Sequence, residues 1–371
     1  MKKNAILLFV SILMGSALLT ISCKKDNSDP SESEVIESNI RALLDSVVDN
    51  TQVPGIVAGV WAPNEGIDLV YTPGVSNIET HEPLSADMIF RIGSNTKTFV
   101  ITVMLQLVDE GLISLDDPLS DYLPDFPRAD EVTLEMLANM RSGIFCYMDL
   151  VDEFWMKVLF EDPTMYWPTD ELIGLGADHD YYFDPDSDIH YSNTNTIIIG
   201  KIIEMVTGVS LESNIKTRIT DELNLTNTVY LSQGNEIPGN HSLAYYYGEY
   251  DADYECSELF DVSGFGAAGS AVSNIYDLKT YVEALVMGDF LSDDTQQKRM
   301  YCPDSNSNYG LGIMEYKGFY GHNGSMPGYN SLMLYSPERN CTLIVWYNCQ
   351  LNDANPDKLM KLIPELIYAD F

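Results

Sequence analysis

The sequence predicts an α+β fold: one antiparallel sheet built from both ends of the chain and flanked by helices, with a large helical insertion and a cleft where the two lobes meet. Three observations carry this. Residues 53–63 (VPGIVAGVWAP) and 66–74 (GIDLVYTPG) have the β-branched, apolar make-up of strands and are joined by a turn at Pro63 to Gly66. Residues 308–316 (NYGLGIMEY), 318–325 (GFYGHNGS), 329–337 (YNSLMLYSP) and 341–348 (CTLIVWYN) read the same way at the far end. The middle, from about 94 to 300, shows helical spacing and loops. Strands at both ends of a chain must find partners for their apolar faces, and one shared sheet provides them.

Taken in order, the chain opens with Met1-Lys2-Lys3 and the apolar run AILLFVSILMGSALLTI, which meets Ser22-Cys23 and then the polar KKDNSDPSESE. This is the layout of a secretory signal. The small residue before Cys23 matches a bacterial lipoprotein cleavage site, so residues 1–22 are expected to be a signal peptide. Cys23 would then be the lipidated first residue and 23–37 a tether. An ordinary signal cut nearby and a retained anchor are the competing readings. Lys24 after the cysteine favours an outer-membrane destination, periplasmic or on the cell surface. Residues 38–371 form one domain. The helix-spaced VIESNIRALLDSVVD, residues 35–49, leads into them, and they end with DKLMKLIPELIYADF. Between the strand groups, KTFVITVMLQLVDEG, NTIIIGKIIEMVTG and NIYDLKTYVEALVMG are predicted helices.

Composition excludes several classes. The 371 residues are 45% hydrophobic, enough for a core, and carry a formal charge of −36. Such a surface repels phosphate backbones, so no nucleic-acid partner is expected. An anionic substrate would need a local positive pocket, although screening over about 10 Å at 0.1 M salt softens the global field. Beyond Cys23, five cysteines remain: Cys146, Cys256, Cys302, Cys341 and Cys349. An odd number gives no tidy disulfide framework and leaves the pairing open. Cys341 and Cys349 flank one predicted strand and would stand roughly 26 Å apart at about 3.3 Å per residue, too far to bridge. No CxxC pair or HExxH helix is present, so no metal site or cofactor is expected.

The chemistry-bearing stretch is FRIGSNTKTFV, residues 90–100. On a helix starting near Ser94, residues three apart share a face, so the Lys97 amine can reach the Ser94 hydroxyl. A helix N-terminus favours an alkoxide, and burial lowers a lysine pKa towards neutrality, where it can take a proton. Ser-x-x-Lys alone is a weak signal, because serine is also a common helix cap. Two further motifs strengthen it: Tyr191-Ser192-Asn193 before a predicted helix, and His322-Asn323-Gly324 on a predicted strand.

Ser-x-x-Lys, Tyr-x-Asn and His-x-Gly, in that order, resemble the serine hydrolases typified by class C β-lactamases and D-alanyl-D-alanine carboxypeptidases. Flanking stretches such as LQLVDEGLISLDDPLSDYLPDFP and GAAGSAVSNIYDL extend the resemblance over about residues 53–348. It implies a β-lactamase/transpeptidase-like fold and an acyl-enzyme formed at Ser94. It also implies that Lys97 and Tyr191 share proton transfer, that Asn193 orients Lys97 and the substrate amide, and that His322 either stands beside Tyr191 or faces a substrate carboxylate. The backbone N–H groups of Ser94 and Ser325 would form the oxyanion hole, with Asn323 and Gly324 beside the substrate. His322 replaces the lysine usual in β-lactamases, and Asn323 stands where carboxypeptidases often carry Thr or Ser. LANMRSG replaces an LLTHTSG-like stretch, and Met140 and Arg141 within it are expected to serve packing. The aromatic- and Met-rich residues 146–168 are open to two readings, pocket wall or core.

The expected function is therefore an exported acyl-serine hydrolase, a D-alanyl-D-alanine carboxypeptidase-like peptidase or amidohydrolase. Its expected partner is a small peptide or ester, peptidoglycan stem peptides among the candidates, and it would meet the membrane through the lipid. An esterase on the same scaffold is the alternative, because the fold does not decide the leaving group. A β-lactamase, or a penicillin-acylated sensor with little turnover, ranks lower.

Overall fold

The computed structural model describes residues 30–247, 253–302, 308–350 and 356–371. The expected signal peptide, Cys23 and the first seven residues of the tether, 23–29, lie outside the described residues. The first helix, α1 (Glu32–Asn50), begins inside the expected tether. Ser31 and Glu34 fix its start as a capping box: the Glu34 amide donates to Ser31 Oγ at 3.2 Å, and the Ser31 amide donates to the Glu34 carboxylate at 2.7 Å.

The sheet is the one expected from both chain ends. Strands β1 (Ile56–Ala62) and β2 (Ile67–Tyr71) come from the N-terminal part. Strands β3 (Met314–Tyr316), β4 (Phe319–Met326), β5 (Tyr329–Ser336) and β6 (Cys341–Tyr347) come from the C-terminal part. Their spatial order is β3-β4-β5-β6-β1-β2, every neighbouring pair being antiparallel. The two ends meet where β1 pairs β6, with Ile56 opposite Tyr347 and Val60 opposite Leu343. Each central strand is buried along nearly its whole length, because both sheet faces are covered.

One face carries α1 and the C-terminal helix, α5 (Asp357–Ile367). Ile40 and Leu44 pack there with Leu332, Leu334, Leu343, Val345, Leu359 and Ile363. The other face joins the main core of the helical lobe through Val57, Met333, Ile344 and Trp346. That lobe is organised around α2 (Thr96–Asp109), which is buried from Thr96 to Leu105, with α3 (Asn193–Thr207) and α4 (Ile275–Met287). A helix apolar all round belongs at the centre of a lobe, and α2 sits there.

One expectation changes, and one open reading is narrowed. Residues 308–316 are a strand only from Met314, and Tyr309 joins Met314 as an isolated bridge. Between the two the chain turns back on itself: the Gly310 amide donates to the Ile313 carbonyl at 2.8 Å, and Gly312 takes φ 63°. In the 146–168 stretch Tyr147, Phe154, Val158, Leu159 and Trp167 belong to the core, and none of its residues lines the cleft over Ser94. All five described cysteines are free thiols, so Cys341 and Cys349 do not bridge.

Candidate active site

Ser94 sits in a 3-10 turn, Gly93–Asn95, between the short strand Phe90–Arg91 and α2. The turn starts with Gly93 at φ 54°. A Cβ there would lie 2.7 Å from the Ser325 backbone nitrogen. On the facing strand, a Cβ on Gly324 would lie 2.0 Å from the Ile92 carbonyl oxygen. Two glycines therefore let the Ser94 turn lie directly on the backbone of β4. The outer edge of β4 pairs with β3 only from Phe319 to Gly321, so residues 322–326 face the turn and not another strand.

Lys97 follows one turn along α2 and is fully buried. Its Nζ donates to Ser94 Oγ at 3.1 Å and to the Ala268 carbonyl at 2.7 Å. It also lies 4.9 Å from the centre of the Tyr191 ring. Burial lowers its pKa to about 7, so near neutral pH an unprotonated amine faces the hydroxyl. Tyr191 lines the cleft and is partly exposed, and its hydroxyl interacts with Ser94. Burial pushes its pKa up and outweighs the contrary effect of that contact, so Tyr191 rests as a neutral phenol.

The other candidates are present but differently engaged. Asn193, the first residue of α3, has no hydrogen bond to Lys97 among the described residues; its amide N–H and its side-chain Nδ2 both reach Cys146 Sγ at 3.5 Å. Three bonds hold the 142–147 loop there: Ser142 Oγ to Asn195 Oδ1, Thr194 Oγ1 to the Phe145 carbonyl, and the Tyr147 amide to Thr194 Oγ1. Cys146 is thus a member of the site that the sequence did not single out as one. Burial raises its thiol pKa, so it is a neutral acceptor.

His322 does not hydrogen-bond Tyr191. The rings are 6.0 Å apart, and His322 Nε2 lies 3.0 Å from the Tyr309 hydroxyl. Its Nδ1 faces the Asn323 carbonyl oxygen at 2.5 Å. A carbonyl can only accept, so Nδ1 carries the proton and Nε2 accepts from Tyr309. Burial, with the nearby Lys97 amine, lowers the His322 pKa to about 3. Of its two expected places His322 takes the one near Tyr191, as a neutral, buried ring whose direct hydrogen-bond partner is Tyr309. The YGLG stretch held Tyr309 in view, but nothing in its spacing showed that it would sit edge-on between Tyr191 and His322.

Asn323 and Ser325 point to the opposite face of β4 from His322 and Gly324. Asn323 Nδ2 lies 3.0 Å from both carboxylate oxygens of Asp357, and Ser325 Oγ accepts from Gln350 Nε2 at 3.1 Å. Met140 is buried against Asn195, as expected of a packing residue, whereas Arg141 pairs with the exposed carboxylate of Asp186 at 2.6 Å. A cleft of about 270 Å3 opens over this constellation, walled by Ser94, Tyr191, Tyr309, Met314, Asn323 and Ser325.

The Beta-lactamase family model matches residues 39–363, nearly the whole described chain. The chain belongs to the Beta-lactamase family. It is similar to a putative penicillin-binding protein, PbpX, of Bacillus subtilis, 27% identical over 71% of this chain, and spans 63% of that relative's length. Among solved structures it resembles a D-stereospecific amidohydrolase from a Streptomyces species, with TM-score 0.76 and 29% identity, covering 86% of this chain and 95% of that one. A D-amino acid amidase from Ochrobactrum anthropi shares the fold, with TM-score 0.78 and 24% identity over 91% of this chain and 100% of that one. Members of this Beta-lactamase family superfold are serine hydrolases, and this chain is one.

Proposed function

We propose that the protein hydrolyses an amide bond next to a D-configured residue through an acyl-enzyme at Ser94. The observation that carries the acyl-enzyme is the buried Lys97 amine 3.1 Å from Ser94 Oγ. The likeness to a D-stereospecific amidohydrolase supports the amide and its configuration. Neutral Lys97 takes the Ser94 proton as Oγ attacks the carbonyl carbon. The tetrahedral oxygen draws on the backbone N–H groups of Ser94 and Ser325, brought together by Gly93 and Gly324. Tyr191, protonated at rest, gives its proton to the leaving nitrogen as the C–N bond breaks and recovers one from the Lys97 ammonium. In the second half neutral Lys97 takes a proton from water, relayed through Tyr191, as the water oxygen adds to the ester carbonyl, and that proton returns to Ser94 Oγ as the C–O bond breaks and the acid leaves.

The test is a turnover panel containing both enantiomers of one amino-acid amide, a D-alanyl-D-alanine peptide, short-chain esters and a chromogenic cephalosporin. Faster turnover of the D-amides supports the proposal. Ester hydrolysis without amide hydrolysis would replace it with the esterase reading. Ser94→Ala is expected to lower turnover by roughly 10³-fold or more.

We also propose that the protein is exported and lipidated at Cys23, on the evidence of the N-terminal sequence. Partition into a detergent phase that is lost in Cys23→Ser would support this. Partition surviving in that variant would favour a retained helix.

A further inference from the structure

The cleft over Ser94 has a polar end and an apolar end, and β4 runs between them. Ser325 and its cross-strand partner Asn330 line the polar end, where the Ser325 amide lies against the Ser94 turn. Met314, on β3, lines the other end and is paired with Gly321. Gly321 and Ser325 stand roughly 13 Å apart on β4 at about 3.3 Å per residue. Asn323 lies between them.

Tyr191, Tyr309 and Met314 make the apolar end. Tyr309 and Met314 face each other across an isolated bridge, which sets their side chains next to one another. The Tyr309 ring stands edge-on to that of Tyr191, with 5.9 Å between centres. Both phenols have their polar tips engaged: the Tyr309 hydroxyl donates to His322 Nε2 at 3.0 Å, and the Tyr191 hydroxyl interacts with Ser94. What they leave for the cleft is ring. Met314, partly exposed, adds a flexible and polarisable thioether that can mould to an apolar group.

The chemistry decides which part of a substrate meets this end. A group that protonates the leaving atom must face it, and in the reaction proposed above that group is Tyr191. The carbonyl oxygen is held between the Ser94 and Ser325 amides, at the polar end. The leaving group therefore departs over Tyr191, and any substituent it carries extends towards Tyr309 and Met314.

We propose that Tyr309 and Met314 form a leaving-group subsite for an apolar substituent, so that the protein releases branched or aromatic amines and alcohols faster than methylamine or methanol from the same acyl group. This rests on Ser94 being the nucleophile and Tyr191 its acid, as proposed above. Met314 is the specificity-determining residue: it touches the substituent and takes no part in bond making.

The experiment measures kcat/KM for the N-methyl and N-isobutyl amides, and the methyl and isobutyl esters, of one D-amino acid. The two amines are of similar basicity, so the comparison reads the subsite and not the intrinsic ease of leaving. The isobutyl member is expected to be favoured by about 10-fold or more, since it buries three further carbons. In Met314→Gln, which keeps the length and replaces the thioether by a polar amide, the ratio should fall to within about 3-fold. Met314→Leu should restore it, and Tyr309→Phe, which keeps the ring and loses the bond to His322, should retain it. Labelling of Ser94 by a fluorophosphonate, read by mass spectrometry of the same preparations, reports the nucleophile independently. A wild-type ratio near one, or a ratio unchanged in a Met314→Gln protein that labels at Ser94, overturns the subsite while leaving Ser94 as nucleophile; so does labelled Ser94 with no turnover in either series. The wild-type ratio needs no variant, so the inference is decided even where a variant does not fold. Labelling elsewhere than Ser94 overturns the proposed function itself and this inference with it.

Discussion

Lys97 and His322 both lose their charge to burial, and each loss has a consequence in pH. Lys97 titrates at about 7 in the fold and near 10.4 in an unfolded chain. Acylation is therefore expected to rise with pH along an acid limb centred near 7, and Lys97→Arg, which cannot release its proton, should abolish turnover nearly as fully as Ser94→Ala. Stability follows the same shift. Between about 7 and 10.4 the unfolded state binds the extra proton, so the urea midpoint should climb with pH across that window, and the climb should shrink in Lys97→Met. His322 repeats the logic lower down: neutral in the fold until about 3 and near 6.5 unfolded, it makes the fold lose stability as pH falls from 6.5 towards 3. Cys146 is the neighbour to alter without touching the nucleophile. Cys146→Ala removes the acceptor used by both nitrogens of Asn193, freeing that side chain to turn towards Lys97. A moved acid limb of the pH–rate profile, with the melting temperature little changed, is the expected outcome.

At the scale of elements, the site is a contact between a turn and a strand edge. Its tolerance is set by Gly324, where a methyl group would meet the Ile92 carbonyl at 2.0 Å. Gly324→Ala is expected to push β4 away from the Ser94 turn and separate the two oxyanion-hole amides. Misplacement by about an ångström costs on the order of 10²-fold in rate, and the crowding itself about 1–3 kcal/mol of stability. Paired measurements of acylation rate and thermal unfolding check this; an active variant would show that the strand edge can yield. The helices around the site were legible because their apolar spacing is long and regular, as in 97–111 and 274–288. The strand expected over 308–316 was not, because the chain turns back between Tyr309 and Met314, and apolar periodicity does not report such a turn.

On the scale of the molecule, the terminal helices close one face of the sheet, and α5 also carries Asp357 to the side chain of Asn323 on β4. Leu359, Ile363 and Ile367 are buried against the sheet. At about 1.5–3 kcal/mol for each such side chain, removing residues 356–371 forfeits roughly 5–9 kcal/mol, comparable to the whole stability of an ordinary domain. Truncation before residue 356 is expected to yield insoluble or molten protein, as read by near-ultraviolet circular dichroism. A shortened chain that melts cooperatively would show that the helix is an accessory.

The sequence by itself determined the sheet made from both ends of the chain, the helical insertion and the Ser94–Lys97 pair, because these depend on local composition, helical period and a spacing of three residues. Only the tertiary structure decided what the remaining polar groups do. His322 binds Tyr309, Asn193 binds Cys146 and Asn323 binds Asp357, partners between 13 and 47 residues distant in the chain. The reason is physical: a buried donor or acceptor must be satisfied by whatever the packed fold brings within about 3 Å, and that neighbour is chosen by the packing of whole elements, not by the residues on either side.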